Sequence, residues 1–345
     1  MYDIVGKRNL WFAVSAILTI PGLLFILIGG LKPSIDFTGG TEWEVRYAEA
    51  PTSAEMTDAL SELGYDDVVV TSLPDDFLRI RTEPIDLIPP ETDAPAPSAS
   101  AAATDGASAE PSASAEPSAS AEPSESVEPT PAPIADGTEF ADLEDDLAAQ
   151  FGEGEPRLVR TVGPIIGADL IRSSAVLIII GEIFLLGYLW MRFGFRFGTA
   201  AIVALLHDVI LVVGTFAILG FFFNVEFDAL FVTALLTIIA FSVHDTIVVF
   251  DRIRENRIRH AGETFGAIVN HSILQTMSRS IITSVTVAVT LGALVVLGPP
   301  TIRTFGLALL LGVVSGTYSS IFNAAQILVA WQDWDAKRKA RPART

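Results

Sequence analysis

Six separate runs of about twenty predominantly apolar residues restrict what this chain can fold into more than any other feature. They fall at 11–30, 172–191, 198–221, 228–251, 279–298 and 303–326. A bilayer core of ~30 Å is crossed by roughly 20 apolar residues of helix. The chain therefore reads as a multi-pass α-helical membrane protein with six transmembrane helices. Lys7 and Arg8 precede the first run, as they would in a signal peptide. That run is longer than the roughly 7–15 apolar residues of a signal segment, and no A-x-A pattern follows it. An uncleaved anchor is the expectation.

Bulk composition agrees only with a divided chain. Half of the 345 residues are hydrophobic, mean hydropathy is +0.47, and yet the net charge is -19. Residues 84–139 carry 11 acidic residues and no Lys or Arg, so more than half of that charge sits in one segment. The same segment is Pro/Ala/Ser/Glu-rich, with "SASAEP" in tandem at 112–117 and 118–123. Such a stretch cannot bury enough apolar surface to offset its ordering entropy. It is expected to be a disordered acidic insert at 84–137, or, less simply, an acidic tether for a basic partner. There is no cysteine, which excludes disulfides, thiolate metal sites and cysteine nucleophiles.

Orientation follows from basic residues in short flanks. Lys7 and Arg8 precede span one; Arg192 and Arg196 lie between spans two and three; Arg252, Arg254, Arg257 and Arg259 follow span four; and Lys337, Arg338, Lys339, Arg341 and Arg344 end the chain. Six spans bring all four clusters to one side, the cytoplasm. The expected order is a cytoplasmic N-terminus at 1–10, the first span, an extracytoplasmic domain at 31–171, spans two to six within 172–326, and a basic cytoplasmic tail at 327–345. The setting is a cell membrane, with both termini on its cytoplasmic side.

Around the insert, the outside domain alternates strand and helix patterns. "TEWEVRY", "DDVVVTSL", "DFLRIRT" and "RLVRTVG" read as strands. "SAEMTDALSELG", opened by an N-cap-like Ser53, and "GTEFADLEDDLAAQFG" read as helices. The order βαββαβ suggests a small α+β, ferredoxin-like domain.

Several polar residues interrupt the spans. Asp245 lies six residues before Asp251, about 9 Å deeper along a helix axis. An ionised acid in lipid is costly and usually marks an ion pathway. Burial raises an aspartate pKa and a nearby cation lowers it, so a site alternating between the two takes up and releases a proton. Arg279 opens span five toward the same end. From it runs a stripe of one helix face: Gln275, Arg279, Thr283, Thr286 and Thr290. These hydroxyls either line a proton path with Asp245 or bond their own backbone, and Arg279 either joins that path or snorkels to the interface. His244 is a second titrating group or a hydrogen-bond partner for a neighbouring helix. Asp208, beside His207 in span three, is a further candidate for proton transfer, or a structural hydrogen-bond acceptor.

Asp36, Gly39 and Gly40 at the entry to the outside domain, and Gly163 and Pro164 at its exit, form hinges or plain turns. Gly312 and Gly316, with Ser315 and Ser319, offer small faces for close helix packing in span six. Asp251, Arg252 and Arg254 belong to a cytoplasmic charge run that sets topology, or docks a cytoplasmic factor. Adjacent His-Asp pairs on a helix do not converge on one ion, so no metal is expected. No P-loop is visible, and no Ser-His-Asp arrangement is indicated by spacing. The chain is read as neither an enzyme nor a nucleic-acid binder.

Five motifs in order carry a resemblance: "SIDFTGGTEWEV" after the first span, "VGPIIGADL" before the second, "ALLHDV" in the third, "HDTIVVFDRIREN" ending the fourth, and "LQTMSRSIITS" opening the fifth. Together with the six-span layout they resemble the SecF branch of the SecD/SecF family, within the RND-type exporter superfamily. The resemblance implies a subunit that uses the proton-motive force, with no other cofactor, to assist protein translocation. Its implied partners are a SecD-like subunit, the SecYEG channel, the translocating polypeptide and membrane lipids. The family's membrane aspartate falls on Asp245 and its partner arginine on Arg279. Two departures stand out: His244 where the family commonly has Asn, and the long acidic insert. The competing readings are a proton-driven exporter of lipids or small molecules, and a passive assembly or scaffold subunit.

Overall fold

A computed structural model describes residues 2–65, 67–85, 87 and 138–340. Nearly all of the expected acidic insert at 84–137 lies outside the described residues. The chain divides into a helical unit, residues 1–39 with 163–345, and a smaller unit, residues 40–162.

The helical unit contains six helices long and apolar enough to cross a membrane. They are α1 (Arg8–Leu27), α5 (Pro164–Phe193), α6 (Phe195–Phe223), α7 (Ala229–Arg259), α8 (Phe265–Leu297) and a final long span. The final span is α9 (Pro300–Ser319), a five-residue π-helical segment (Ser320–Ala324) and α10 (Ala325–Ala340). Most of the helices overrun the apolar windows that announce them. A window of hydropathy marks lipid depth, whereas a helix continues until a cap or a breaker stops it. Thus α5 starts eight residues before its apolar run, at Pro164 behind the N-cap Gly163, and α8 starts at the Thr264 cap. Gly194 (φ +82°) ends α5, and Asn224 in the left-handed region ends α6.

Helices α6, α7 and α9 are the best buried, around Leu205, Phe216, Ile238 and Phe250. Small residues set how closely they approach. A Cβ on Gly22 of α1 would stand 2.8 Å from the Gly214 Cα of α6, and one on Gly312 of α9 would meet Ile238 of α7 at 2.2 Å. A Cβ on Gly316 would stand 3.1 Å from the Ser242 Cβ. The close packing expected of Gly312 and Gly316 is made against span four.

Between α1 and the smaller unit, the chain forms β1 (Lys32–Pro33) and a single-turn helix α2 (Ile35–Thr38). Strand β1 pairs in parallel with β6 (Glu226–Phe227), in the loop before α7.

The smaller unit runs β2 (Gly40–Tyr47), α3 (Ser53–Glu62), β3 (Val69–Ser72), β4 (Leu78–Thr82), α4 (Glu139–Phe151) and β5 (Gly154–Val162). Its four-stranded sheet has the order β3-β4-β2-β5, and every pair is antiparallel. Alternation in β2 sends Trp43, Val45 and Tyr47 into a core with Met56, Leu60, Ile80, Phe140, Leu143 and Leu147. Glu42 and Glu44 fall in the intervening positions. The α3 cap is Thr52 rather than Ser53. Its hydroxyl accepts from the Glu55 N–H while the Glu55 carboxylate accepts from the Thr52 N–H, a reciprocal capping box one residue earlier than the serine suggests.

Candidate functional site

Helix α7 buries a stripe at helical spacing that includes Ser242, Asp245, Thr246, Val249, Ile253 and Asn256. As far as Phe250 the residues between them are apolar apart from His244, so Asp245 and the hydroxyls stand out chemically; charged residues follow from Asp251. Asp245 is buried, and its Oδ1 accepts a hydrogen bond from Ser280 Oγ of α8 at 2.8 Å. Its Oδ2 is buried without a hydrogen-bond partner among the described residues. A carboxylate with one satisfied oxygen and one open oxygen can take a proton without breaking an existing bond.

One helical turn before Asp245, Ser242 meets Asp208 of α6, which is arranged differently. It is fully buried, and Oδ2 accepts from Ser242 Oγ (2.6 Å) and Ser319 Oγ (2.5 Å). Oδ1 accepts from Ser315 Oγ (2.7 Å) and lies 3.1 Å from His207 Nδ1. Three spans are thereby tied to one carboxylate. The tie continues into the π segment, where Ser320 Oγ lies 2.8 Å from Thr246 Oγ1 and donates to the Ser242 carbonyl at 3.2 Å. It reaches α1 as well, where Ser15 donates to Asn323 at 2.8 Å. π-helical turns inside α-helices occur frequently at functional sites. His207 Nε2 and the side-chain amide of Gln326 are also buried without hydrogen-bond partners among the described residues.

The remaining sequence candidates do not all converge here. Arg279 is exposed and makes no hydrogen bond or ion pair through its side chain among the described residues; the neighbouring Ser280 is what meets Asp245. Thr283, Thr286 and Thr290 are also exposed, and each hydroxyl bonds a backbone carbonyl of its own helix, of Arg279, Ile282 and Thr286 respectively. The inward stripe of α8 is instead Ser272, Thr276, Ser280 and Ser284. The two stripes lie about 100° apart, and hydroxyl periodicity alone does not say which faces the bundle. His244 is exposed and, among the described residues, makes no hydrogen bond to a neighbouring helix, because its side chain points away from the stripe that carries Asp245.

Asp36 Oδ2 accepts from the Ala229 N–H at 3.0 Å, so it caps the start of α7 beside Asp228, whose Oδ1 accepts from Phe231 N–H. Gly39 (φ +76°) and Gly40 (φ +133°) hold backbone that side chains resist, whereas Gly163 has an ordinary φ of -65° and acts as the N-cap before Pro164. Near the end of α7, Asp251 pairs with Arg192 (3.3 Å), Arg252 pairs with Glu255 (2.7 Å), and Arg254 donates to the Arg192 carbonyl (3.0 Å). Among the described residues no group of three or more His, Asp or Glu is placed to hold a metal.

In the smaller unit, Glu44 lies between two arginines. Arg79 donates to Oε1 through Nε (3.1 Å) and Nη2 (2.7 Å), and Arg157 Nε donates to Oε2 at 2.9 Å. Burial alone would raise the Glu44 pKa, but the two guanidinium groups outweigh it and hold the carboxyl below its ordinary range.

Residues 143–334 match the family described as "Protein export membrane protein SecD/SecF, C-terminal". Over 343 residues the chain is 42% identical to the protein translocase subunit SecF of Thermobaculum terrenum, covering 98% of this chain and 96% of that one. The chain belongs to the SecF family of protein translocase subunits. Longer relatives named SecDF contain the SecF-like sequence as a part. The Bacillus subtilis SecDF is 30% identical over 341 residues, 98% of this chain and 39% of that protein. The crystal structure of SecDF from Thermus, described as a translocon-associated membrane protein, aligns with a TM-score of 0.73 at 28% identity and covers 96% of this chain. The chain spans 39% of the length of that solved protein. SecF-family membership makes this a multi-pass membrane subunit involved in protein export.

Proposed function

We propose that the chain is the SecF-type half of a SecDF-like assembly and that it couples proton flow to polypeptide movement through a SecYEG-type channel. The observation that carries this reading is Asp245, a buried carboxylate in an apolar span with one oxygen held by Ser280 and the other open. Such a group is costly in lipid unless it exchanges a proton or meets a partner. Arg279, adjacent to Ser280 but turned outward, is placed to approach Asp245 when α8 rotates or when a partner subunit closes over it. His244 and the threonines of the outward stripe are likewise exposed. Asp208, whose carboxylate is already fully engaged, is assigned a structural part.

In this reading the basic helix ends face the cytoplasm, and residues 40–162 form a ferredoxin-like module on the opposite side, supported by the βαββαβ order and the strand order β3-β4-β2-β5. Gly39 and Gly40, with the Gly163-Pro164 junction, transmit span movement to that module. The proton gradient is the only energy source, no cofactor is bound, and the chain is not an enzyme.

The test is reconstitution with a SecD-like subunit and the channel in proteoliposomes, with an imposed proton gradient. Asp245→Asn keeps an acceptor for Ser280 but cannot titrate, and it is expected to lose both proton flux and the gradient-dependent part of polypeptide transport. If Asp245→Asn transports with undiminished gradient dependence, the subunit is a passive scaffold and the proposal is wrong.

A further inference from the structure

At one end of the helical unit, α5 and α7 leave an open cleft of about 510 Å³ lined by Arg192, Asp251, Arg254, Glu255, Arg257 and Ile258. Its depth is set by the spans themselves. The apolar run of α5 ends at Met191 and gives way to Arg192, and that of α7 ends at Phe250 and gives way to Asp251. In a spanning helix those transitions mark the level where acyl chains meet headgroups.

The charges in the cleft are unevenly matched. Asp251 is taken by Arg192 at 3.3 Å, and Glu255 by Arg252 and Arg259, each at 2.7 Å. Arg254 and Arg257 have no carboxylate partner among the described residues. Arg254 is held in place, donating to the Arg192 carbonyl, and its guanidinium lies 5.7 Å from the centre of the Phe193 ring. Arg192 lies over the same ring at 5.0 Å. Beside these cations the surface turns apolar: Met191 is 84% exposed and Ile258 83%. Two unmatched guanidinium groups just beyond the apolar runs, with exposed Met191 on their membrane side, are complementary to one molecule with an anion at its head and a hydrocarbon body.

We propose that this cleft is a binding site for an anionic phospholipid, with Arg254 and Arg257 contacting its phosphate and Met191, on the membrane side of them, lying along an acyl chain. The forked donors of arginine suit a phosphate in two-point contact. The site holds whichever side of the membrane it faces, so it stands independently of the proton mechanism.

The experiment uses the full chain purified from nanodiscs made of phosphatidylglycerol with phosphatidylcholine, followed by native mass spectrometry after a fixed detergent wash. Wild type is expected to retain phosphatidylglycerol but not phosphatidylcholine. The double variant R254Q/R257Q is expected to retain it about tenfold less or worse, as two interfacial arginines imply. R254K/R257K is expected to restore retention in part, and R303Q, at the opposite end of the bundle, to leave it unchanged. Equal retention by wild type and R254Q/R257Q overturns the proposal. So does equal loss in the lysine pair, which assigns the effect to local structure, or full displacement of the lipid by inorganic phosphate or an acidic peptide, which assigns the cleft to a water-soluble anion or a protein segment.

Discussion

Asp208 accepts from three serine hydroxyls on two other helices, while Asp245 accepts from one and keeps an oxygen open. The difference has consequences that separate the two residues. Asp208→Ala leaves the hydroxyls of Ser242, Ser315 and Ser319 without their common acceptor and opens a void between three helices. A loss of about 3 kcal/mol or more is expected, read as a lowered melting temperature in detergent. Asp245→Asn retains the Ser280 bond and is expected to melt close to wild type; a large drop there would mean that Asp245 is structural. Glu44 in the smaller unit gives a pH-dependent counterpart. Because Arg79 and Arg157 hold its folded pKa below the ordinary carboxylate range, its contribution is fully present at neutral pH, above the unfolded pKa, and is lost as the pH falls through the folded value. Glu44→Gln removes hydrogen bonds to charged groups and is expected to cost about 1.5–3 kcal/mol at neutral pH. Hydrogen exchange of the β2 and β5 amides in the full chain is the measurement: wild type should lose protection on acidification, and the difference from Glu44→Gln should shrink toward zero.

At the scale of elements, helix packing depends on a few close crossings. The Gly22–Gly214 approach leaves no room for a side chain, and what a Cβ would strike is backbone, which cannot swing aside. Gly214→Leu is therefore expected to push α1 away from α6 at about 1–3 kcal/mol. A cysteine pair across the α1–α6 crossing, introduced into this cysteine-free chain, should lose its disulfide in that background; undiminished cross-linking would show that α1 adapts. The apolar runs made the six membrane helices legible in the sequence, and Gly312 and Gly316 announced their close packing. The face of α8 was not legible, because Arg279-Thr283-Thr286 and Thr276-Ser280-Ser284 are equally periodic and only tertiary contact selects one. Nor were the pairing of β1 with β6 and the capping of α7 by Asp36: each joins segments nearly two hundred residues apart, and a two-residue strand has no pattern to read. The Asp208 knot was half visible. The acid drew notice, but its serines lie on other helices at spacings that otherwise suggest packing.

For the whole molecule, the charge and the core come from different stretches of chain. Residues 92–134 contribute seven acidic residues and no basic one, so their deletion takes the net charge from -19 to -12. The core of the smaller unit draws on residues flanking that stretch, among them Ile85, Phe140, Leu143 and Leu147. Deleting 92–134 is expected to leave the exchange protection of β2 and β4 unchanged; a loss would show that the acidic stretch supports the sheet. The outer surface of the helical unit poses the larger question of assembly. Along α8, Ile282, Val285 and Val289 are 67%, 54% and 68% exposed, which lipid alone would satisfy. Arg279 stands on the same side and lipid does not satisfy it: an unpaired guanidinium within a span is expensive, and such residues usually face a bundle interior, a wet cavity or another charged group. The outer face of α5 exposes Ile179, Ile183 and Phe184, and its acid Glu182 is half-buried and can be carried protonated, whereas an arginine stays charged. The two faces should therefore have different neighbours, a second membrane subunit over α8 and lipid over α5. With no native cysteine, single substitutions report cleanly. Val285→Cys is expected to cross-link to a membrane span of a co-expressed SecD-like subunit, and Ile183→Cys is not. If Val285→Cys fails to cross-link while Ile183→Cys succeeds, the partner covers the other face, and Arg279 must be satisfied by water or by movement within this chain.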